Sequence, residues 1–324
     1  MTDPIHLFII DPISTLNLRL DTSLRLAWSL QTQTKHSVMA CTPSQLQWTS
    51  GAKTAAALAA PLQFSLTPES ATLRSPREMP LSEFAVIYMR KDPPCDLNYL
   101  STTWMLQSAS ETTKLVNEPR AVQSLNEKMA TFLFPEESIP ACVSASPAAL
   151  CRFAEQFPGE LIAKPLDLFG GRGIERLSLD LLDKPERCLQ TMERITESGK
   201  NVRLIQPFRA AIARGEIRAF YGFGEDIAWC LKIPKEGGFL ANTSAGASLE
   251  PYEPSSDLKK KMDRVAKKLL AHGAYFVGFD IIAEEISEIN LTSPRLLYAN
   301  SKQRDEAFSK LTELCRKAAL EDHC

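Results

Sequence analysis

Asp280, Glu288 and Asn290 stand inside GFDIIAEEISEIN, a stretch from Gly278 to Asn290 that otherwise reads as an oily, β-branched hairpin. Val277, Phe279, Ile281, Ile282, Ile286 and Ile289 surround them. A carboxylate in such a setting costs on the order of several kcal/mol unless it is paired or bound to a cation. Glu288 and Asn290 are two apart, so a strand points them to one face, and oxygen-only ligands of this kind suit a hard ion such as magnesium. For Asp280 to join that face the loop must hold an odd number of residues, as Glu284 to Ile286 would. An even loop such as Glu284 and Glu285 sets Asp280 against Ile289. The expectation is therefore an odd loop. An ordinary hairpin whose acids reach solvent at a sheet rim fits the same residues.

A second stretch with chemistry in it is AKPLDLFGGRG, Ala163 to Gly173. A lysine at a strand end, Lys164, followed by Gly170, Gly171 and Gly173, lets a point charge and bare backbone amides approach phosphate closely. The Walker pattern GxxxxGK[ST] is absent, and a plain strand-to-strand turn accounts for the glycines about as well. Order along the chain says more. Lys128 in NEK, Lys164 with its glycine turn, IQPF at Ile205 to Phe208, Glu216 and Arg218 in GEIR, Lys232 in LKIP, and the hairpin acids follow in succession.

With DPISTLNLRLDTS at Asp11 and MRKDPP at Met89, these segments resemble the ATP-grasp fold, and more closely the bacterial glutathione synthetases; they span the chain from about Asp11 to Pro294. The resemblance implies an α/β protein, in part α+β, with an N-terminal Rossmann-like pre-ATP-grasp domain over 1–122, a central lid subdomain over 123–202 and a catalytic subdomain over 203–324. It implies that Asp280, Glu288 and Asn290 hold Mg2+, or Mn2+ in its place, against the phosphates of ATP. Lys128 and Lys164 contact the nucleotide, with Gly170 and Gly171 in a lid over the phosphates. Gln206, Pro207 and Phe208 form the hinge beside adenine, and Glu216 binds ribose where the family more often has aspartate. Arg218, Lys232 and Asn242 surround the triphosphate and the acyl phosphate, and Arg90 and Ser293 contact substrate.

The activity implied is formation of glutathione from γ-glutamylcysteine and glycine. ATP phosphorylates the C-terminal carboxylate of the dipeptide, and the glycine amine attacks the acyl phosphate. No protein nucleophile is required, so positioning, charge stabilisation and exclusion of water do the catalysis. The glycine-rich segment KEGGFLANTSAGAS, Lys235 to Ser248, fits a loop that closes over such a site. The chain departs from the family there, with Leu240 in place of an arginine and Ser248 in place of another basic residue. After Ser293 and Pro294 it continues RLLYANS, which puts Arg295 in a new place. A ligase with another peptide or amine acceptor, and an ATP-binding homologue whose activity has lapsed, remain as alternatives.

Composition bounds the partners. The chain has 324 residues and a net charge of −2, which gives no footprint for nucleic acid. The basic run KKKMDRVAKK interleaves with Leu258, Met262, Val265 and Leu269 at helical spacing and reads as a solvated helix face. Eight cysteines lack any CxxC pair, and IHLFIIDPIS reads as an opening strand and not as a signal peptide. A cytoplasmic protein with reduced thiols follows. No segment reaches the roughly 20 apolar residues of a membrane span, and the four histidines show no zinc spacing. A homo-oligomer, tetrameric by analogy with the bacterial relatives, is expected.

The elements that must position these residues alternate early. Strands are expected at His6 to Ile10, Ser37 to Ala40 and Ala85 to Met89, and helices at Ser23 to Gln31 and Leu100 to Ser108, as in a mainly parallel α/β layer. Ser50 and Gly51 suggest a hairpin that makes AKTAAALAA a strand. Further on, a helix is expected over Ala121 to Phe134, another over Ala148 to Gln156 and a third over Glu186 to Ser198. Strands are expected at Glu160 to Ala163 and Val202 to Gln206, and paired strands at Ile217 to Phe223 and Ile227 to Lys232.

Overall fold

The computed structural model describes residues 3–320 apart from 35, 169, 179, 181 and 182. Three sheets follow one another along the chain. The first is built on Ile5–Ile9, where Leu7, Phe8 and Ile9 are all buried, as a strand covered on both faces requires. It pairs in parallel with Ser37–Cys41 and Val86–Met89, and the latter with Lys114–Val116. Helices Thr22–Gln33 and Leu97–Gln107 belong to this layer, each started by an aspartate: Asp21 accepts from the Leu24 amide and Asp96 from the Tyr99 amide.

The expected hairpin at Ser50 and Gly51 forms, with Leu46 opposite Ala57 and Gln47 opposite Ala56. Alanine favours helix, yet Ala56–Gln63 is a strand, with Ala57 and Ala59 buried in one core and Leu62 in the core on its other face, while Leu58 and Gln63 are exposed. Residues 65–82 carry two short strands, Thr72–Leu73 and Arg77–Pro80, which pair with it.

The second sheet has four antiparallel strands in the order Glu175–Leu177, Leu161–Pro165, Arg203–Pro207, Cys142–Ser144. Helices Pro147–Gln156 and Pro185–Ile195 cover it through Leu150, Cys188, Met192 and Ile195, which meet Leu161, Ala163 and Ile205. The expected boundary after residue 202 falls just ahead of a strand that pairs within this sheet.

The third sheet has five strands in the order Ser248–Pro251, Glu225–Ile233, Glu216–Gly222, Phe276–Ile282, Glu285–Asn290. Helix Ser256–Ala271 buries Leu258, Met262, Val265 and Leu269 against Ala219, Phe279 and Ile281, which leaves the basic run on its outer side. The last helix, Ser301–Ala318, returns to the first layer, where Phe308, Leu311 and Cys315 share a core with Leu24 and Leu30.

The single helix expected over Ala121 to Phe134 is broken. Pro119–Ser124 is α-helical and Met129–Leu133 is a 3-10 turn. Between them Asn126 Oδ1 accepts from the Lys128 and Met129 amides. Glu127 turns away to accept from the Leu291 and Thr292 amides and the Thr292 hydroxyl. These tertiary bonds outbid continuation of the helix.

Candidate active site

The acidic hairpin reaches its register by a route the sequence did not suggest. Its loop is even: Ala283 and Glu284, both at positive φ (50° and 66°), form a two-residue turn that pairs Ile282 with Glu285 and Ile281 with Ile286. The expectation of an odd loop is wrong. A bulge then places Asp280 opposite Glu288, Phe279 opposite Ile289 and Gly278 opposite Asn290. Ser287 is the extra residue, and it sets the two acids face to face.

The neighbouring strands bring cations to the same face. Arg218 pairs across with Asp280, and Glu216 pairs across with Lys232. Lys232 Nζ lies 2.5 Å from both Glu216 Oε2 and Asp280 Oδ1, and Arg218 Nη1 donates to Asp280 Oδ2 at 3.0 Å. Gly278 makes room for that guanidinium, since a Cβ there would sit 3.1 Å from Arg218 Nη1. Burial pushes the Asp280 carboxyl up, but Arg218 and Lys232 outweigh it and hold the group down at about 2. Burial likewise depresses Lys232, and Asp280 with Glu216 reverses this, so the ammonium stays charged. Glu216 shares its lysine with Asp280, and burial pushes its carboxyl up.

Asn290 directs its amide nitrogen to Gly278 O (3.1 Å) and Asp280 Oδ2 (3.0 Å), which leaves its amide oxygen as an acceptor. Glu288 has Lys128 Nζ at 3.7 Å, beyond hydrogen-bond reach. Its charge is felt by Glu127, whose carboxyl is pushed up by burial first and by Glu288 second. Two carboxylates and an amide oxygen on one face are a donor set that fits a hard divalent cation. Among the described residues no group of three or more His, Cys, Asp or Glu could hold a metal. Such a set leaves coordination positions to water and phosphate, as Mg2+ prefers.

All of these groups line one cleft of about 330 Å³ lying between the second and third sheets. Lys164 reaches it from the end of Leu161–Pro165, with Nζ 3.4 Å from Ser287 O, and Lys128 Nζ donates to Leu168 O at 2.6 Å. Gln206, Pro207 and Phe208 line it at the end of Arg203–Pro207. Gly170, Gly171 and Asn242 close one side, where a Cβ on Gly171 would stand 2.7 Å from Asn242 Oδ1. Phe169 of the same turn lies outside the described residues. The loop segment places Leu240 in the cleft wall with Phe239 and Ala241.

Ser293 lines the cleft, and its hydroxyl donates to Arg90 O at 3.2 Å. Arg90 itself does not. Its side chain is buried beneath, donating to Ser23 Oγ and to Pro294 O, both at 3.0 Å, with the guanidinium over Phe276. It ties the chain after the hairpin to the first layer, and an arginine following a strand gave no signal to separate that from substrate contact. Three residues escaped the sequence reading. Glu127 anchors Leu291 and Thr292, and Asn117 joins both hairpin strands through Phe276 N, Phe276 O and Leu291 O. Ser287 Oγ bonds Glu216 Oε1 and Asp280 O, both at 3.2 Å. Glu127, inside the quoted NEK, could have been found by asking what a charge between two turn residues serves.

Comparison with known proteins gives concordant matches. Residues 5–123 match the model for the prokaryotic glutathione synthetase N-terminal domain, and residues 127–304 that for the prokaryotic glutathione synthetase ATP-grasp domain. The chain is similar to a glutathione synthetase of Prochlorococcus marinus subsp. pastoris, 30% identical over 314 residues, covering 95% of this chain and 99% of that protein. It is also similar to one of Vibrio vulnificus, 36% identical over 222 residues, 68% of each. Among solved structures, the D-cycloserine synthetase DcsG superposes with a TM-score of 0.64 at 15% identity, covering 97% of this chain and 99% of that one. The ATP-grasp ligase PsnB complexed with Mg and ADP superposes at 0.61 and 15% identity, covering 99% of this chain and 100% of that one. At that identity the two structures speak for the fold alone.

Proposed function

This chain belongs to the prokaryotic glutathione synthetase family, with the ATP-grasp fold, and from that premise we propose how its cleft joins γ-glutamylcysteine to glycine with ATP. It is an ATP-dependent ligase. The observation that carries the reading is the row of charges across the third sheet: Lys232 between Glu216 and Asp280, Arg218 on Asp280, and Glu288 beside them.

Adenine is held at Gln206 to Phe208, where backbone groups meet the purine edge, and Glu216 accepts from ribose. Lys128 and Lys164 neutralise phosphate oxygens from the opposite wall, and Gly170 and Gly171 let backbone amides approach them. Bound at Asp280, Glu288 and Asn290, Mg2+ supplies Lewis acidity that offsets charge on the phosphates. Arg218 and Lys232 stand where charge grows as the γ-phosphoryl group moves to the dipeptide carboxylate. Both are pre-organised by Asp280, so little reorganisation accompanies transfer. Asn242 and the segment 235–248 keep water from the acyl phosphate while the glycine amine attacks. Ser293 and Arg295 face the acyl substrate, and Arg90 holds their backbone in place. A cytoplasmic location and a homo-oligomeric state belong to the same proposal, by analogy.

A second acceptor or peptide is favoured at one point, the apolar wall of Phe239, Leu240 and Ala241 in the cleft that Arg295 also lines. A mass-resolved assay with ATP, Mg2+, γ-glutamylcysteine and glycine, following ADP and peptide together, tests both readings. Glutathione formed in step with ADP is the expected result. ADP without glutathione transfers support to another acceptor, and absence of ADP release overturns the ligase mechanism.

A further inference from the structure

Cys151 and Cys188 lie 37 positions apart in sequence, yet their sulfurs are 3.1 Å from one another. Cys151 is on helix Pro147–Gln156 and Cys188 in the first turn of helix Pro185–Ile195, the two helices that cover the second sheet. All seven described cysteines are free thiols. The contact faces away from the cleft and no step of ligation uses it. A disulfide bond is about 2.05 Å long, so a relative movement of roughly 1 Å would close the gap. That is a rotamer adjustment or slight helix shift and not a refolding.

Accessibility is asymmetric in a way that suits exchange. Cys188 is buried at 5% exposure within the core formed by Leu150, Met192 and Ile205, whereas Cys151 is half-exposed at its edge. Burial first, then the Cys188 neighbour, pushes the Cys151 thiol up to about 12. At neutral pH it rests as a thiol, so attack on a disulfide proceeds through a small thiolate fraction and is slow.

We propose that Cys151 and Cys188 are a reversible disulfide site, written by a low-molecular-weight disulfide and erased by a thiol. The steps balance. Cys151, on losing its proton to solvent, attacks one sulfur of the small disulfide, forming a mixed disulfide and expelling one thiolate. Cys188 then loses its proton and attacks Cys151 Sγ, closing the protein disulfide and expelling the second thiolate. Two protein thiols are oxidised, one small disulfide is reduced to two thiols, and the two protons released are taken up by the leaving thiolates. The bridge ties together the helices behind Leu161–Pro165 and Arg203–Pro207, the strands that carry Lys164 and Gln206. It therefore lies in the layer that holds the nucleotide side of the cleft. The inference is independent of the ligase reading, since it concerns a contact outside the cleft.

The test uses the full chain and glutathione disulfide as probe. Reduced protein is exposed to a graded ratio of glutathione disulfide to glutathione, quenched with an alkylating agent, digested and analysed by mass. The expected result is a Cys151–Cys188 linked peptide, with intact protein lighter by two hydrogens, reverting under dithiothreitol. Cys188→Ser should stop at the mixed disulfide on Cys151, and Cys142→Ser, which alters a neighbouring thiol of the same core, should leave the bridge intact. Full alkylation of both sulfurs after the most oxidising ratio overturns the proposal. So does a linked peptide that pairs Cys151 with another cysteine. Circular dichroism of each variant establishes that it is folded before its sulfurs are counted.

Discussion

Asp280 faces Glu288 across the last hairpin although the turn between them holds only Ala283 and Glu284. That turn by itself would set Asp280 against Ser287. The bulged serine shifts the outer half of the ladder by one residue and puts both acids, with Arg218 and Lys232, on the side that lines the cleft. Asp280 is the counter-ion of two buried cations, and the proposed mechanism gives it a second role as a metal ligand.

Asp280→Asn separates those roles. The amide keeps the shape but leaves Arg218 and Lys232 with one carboxylate, Glu216, between them. Removing one partner of a buried ion pair typically costs about 3–5 kcal/mol. Retention of the amide and of Glu216 places this variant at the low end. A lower urea midpoint together with ADP release down by at least ~100-fold is expected. A variant of wild-type stability would show that Asp280 is not what neutralises the cations.

Glu288→Gln addresses the metal. A ligand that binds the folded chain raises its midpoint by mass action. ADP with Mg2+ is expected to raise the melting temperature of the wild type more than ADP with a chelator does. In Glu288→Gln the two should shift it equally, because the magnesium increment is lost while the ADP increment, held by Gln206 to Phe208, survives. Differential scanning fluorimetry reads both. An undiminished magnesium increment in the variant would place the ion elsewhere.

How much of this was legible in the sequence follows from what each feature depends on. The strand Ile5–Ile9, the hairpin at Gly51 and the acids themselves rest on local pattern, apolar runs and turn residues, and were readable. The bulge at Ser287 was not, because one unpaired residue leaves no trace in a period of two, and counting loop residues gave the right face for the wrong reason. The helix break at Asn126 and Glu127 depends on amides of residues 291 and 292, about 165 positions on, which no local window contains. Arg90 was misplaced for the same cause, since its partners Ser23 and Pro294 come from opposite ends of the chain.

Acid should weaken the fold through His6. Its ring is buried, with Nε2 2.8 Å from His36 Nδ1 and Nδ1 3.2 Å from Tyr88 Oη. Burial, then His36, pushes its pKa down to about 3. The unfolded imidazole titrates near ~6.5, so below that pH the unfolded chain binds a proton the folded chain refuses. Stability is therefore full above ~6.5 and falls as pH drops towards the folded value, by up to about 1.4 kcal/mol per unit from this group. Urea midpoints between pH 7 and 5 should show the slope, and His6→Gln should reduce it. An unchanged slope in the variant would assign the acid sensitivity to other groups.

Leu240 and Arg295 both line the cleft, and the proposed mechanism predicts that they set how the acyl substrate is held. The loop wall offers Phe239, Leu240 and Ala241, none of which can meet a carboxylate, and Arg218 and Lys232 are already committed to Asp280 and Glu216. Arg295 lines the same cleft 4.0 Å from Asp92, at the limit of an ion pair, with its side chain 46% exposed. Its weak pairing and exposure make it a candidate to turn towards a substrate carboxylate. A charged hydrogen bond contributes about 1.5–3 kcal/mol, so Arg295→Gln is expected to raise KM for the acyl substrate roughly 10- to 100-fold while KM for ATP stays within about twofold. Leu240→Arg in that background restores a cation from the loop wall and should recover part of kcat/KM. If Arg295→Gln instead raises KM for ATP alone, Arg295 serves the phosphates, and the acyl substrate must be held by groups nearer Ser293.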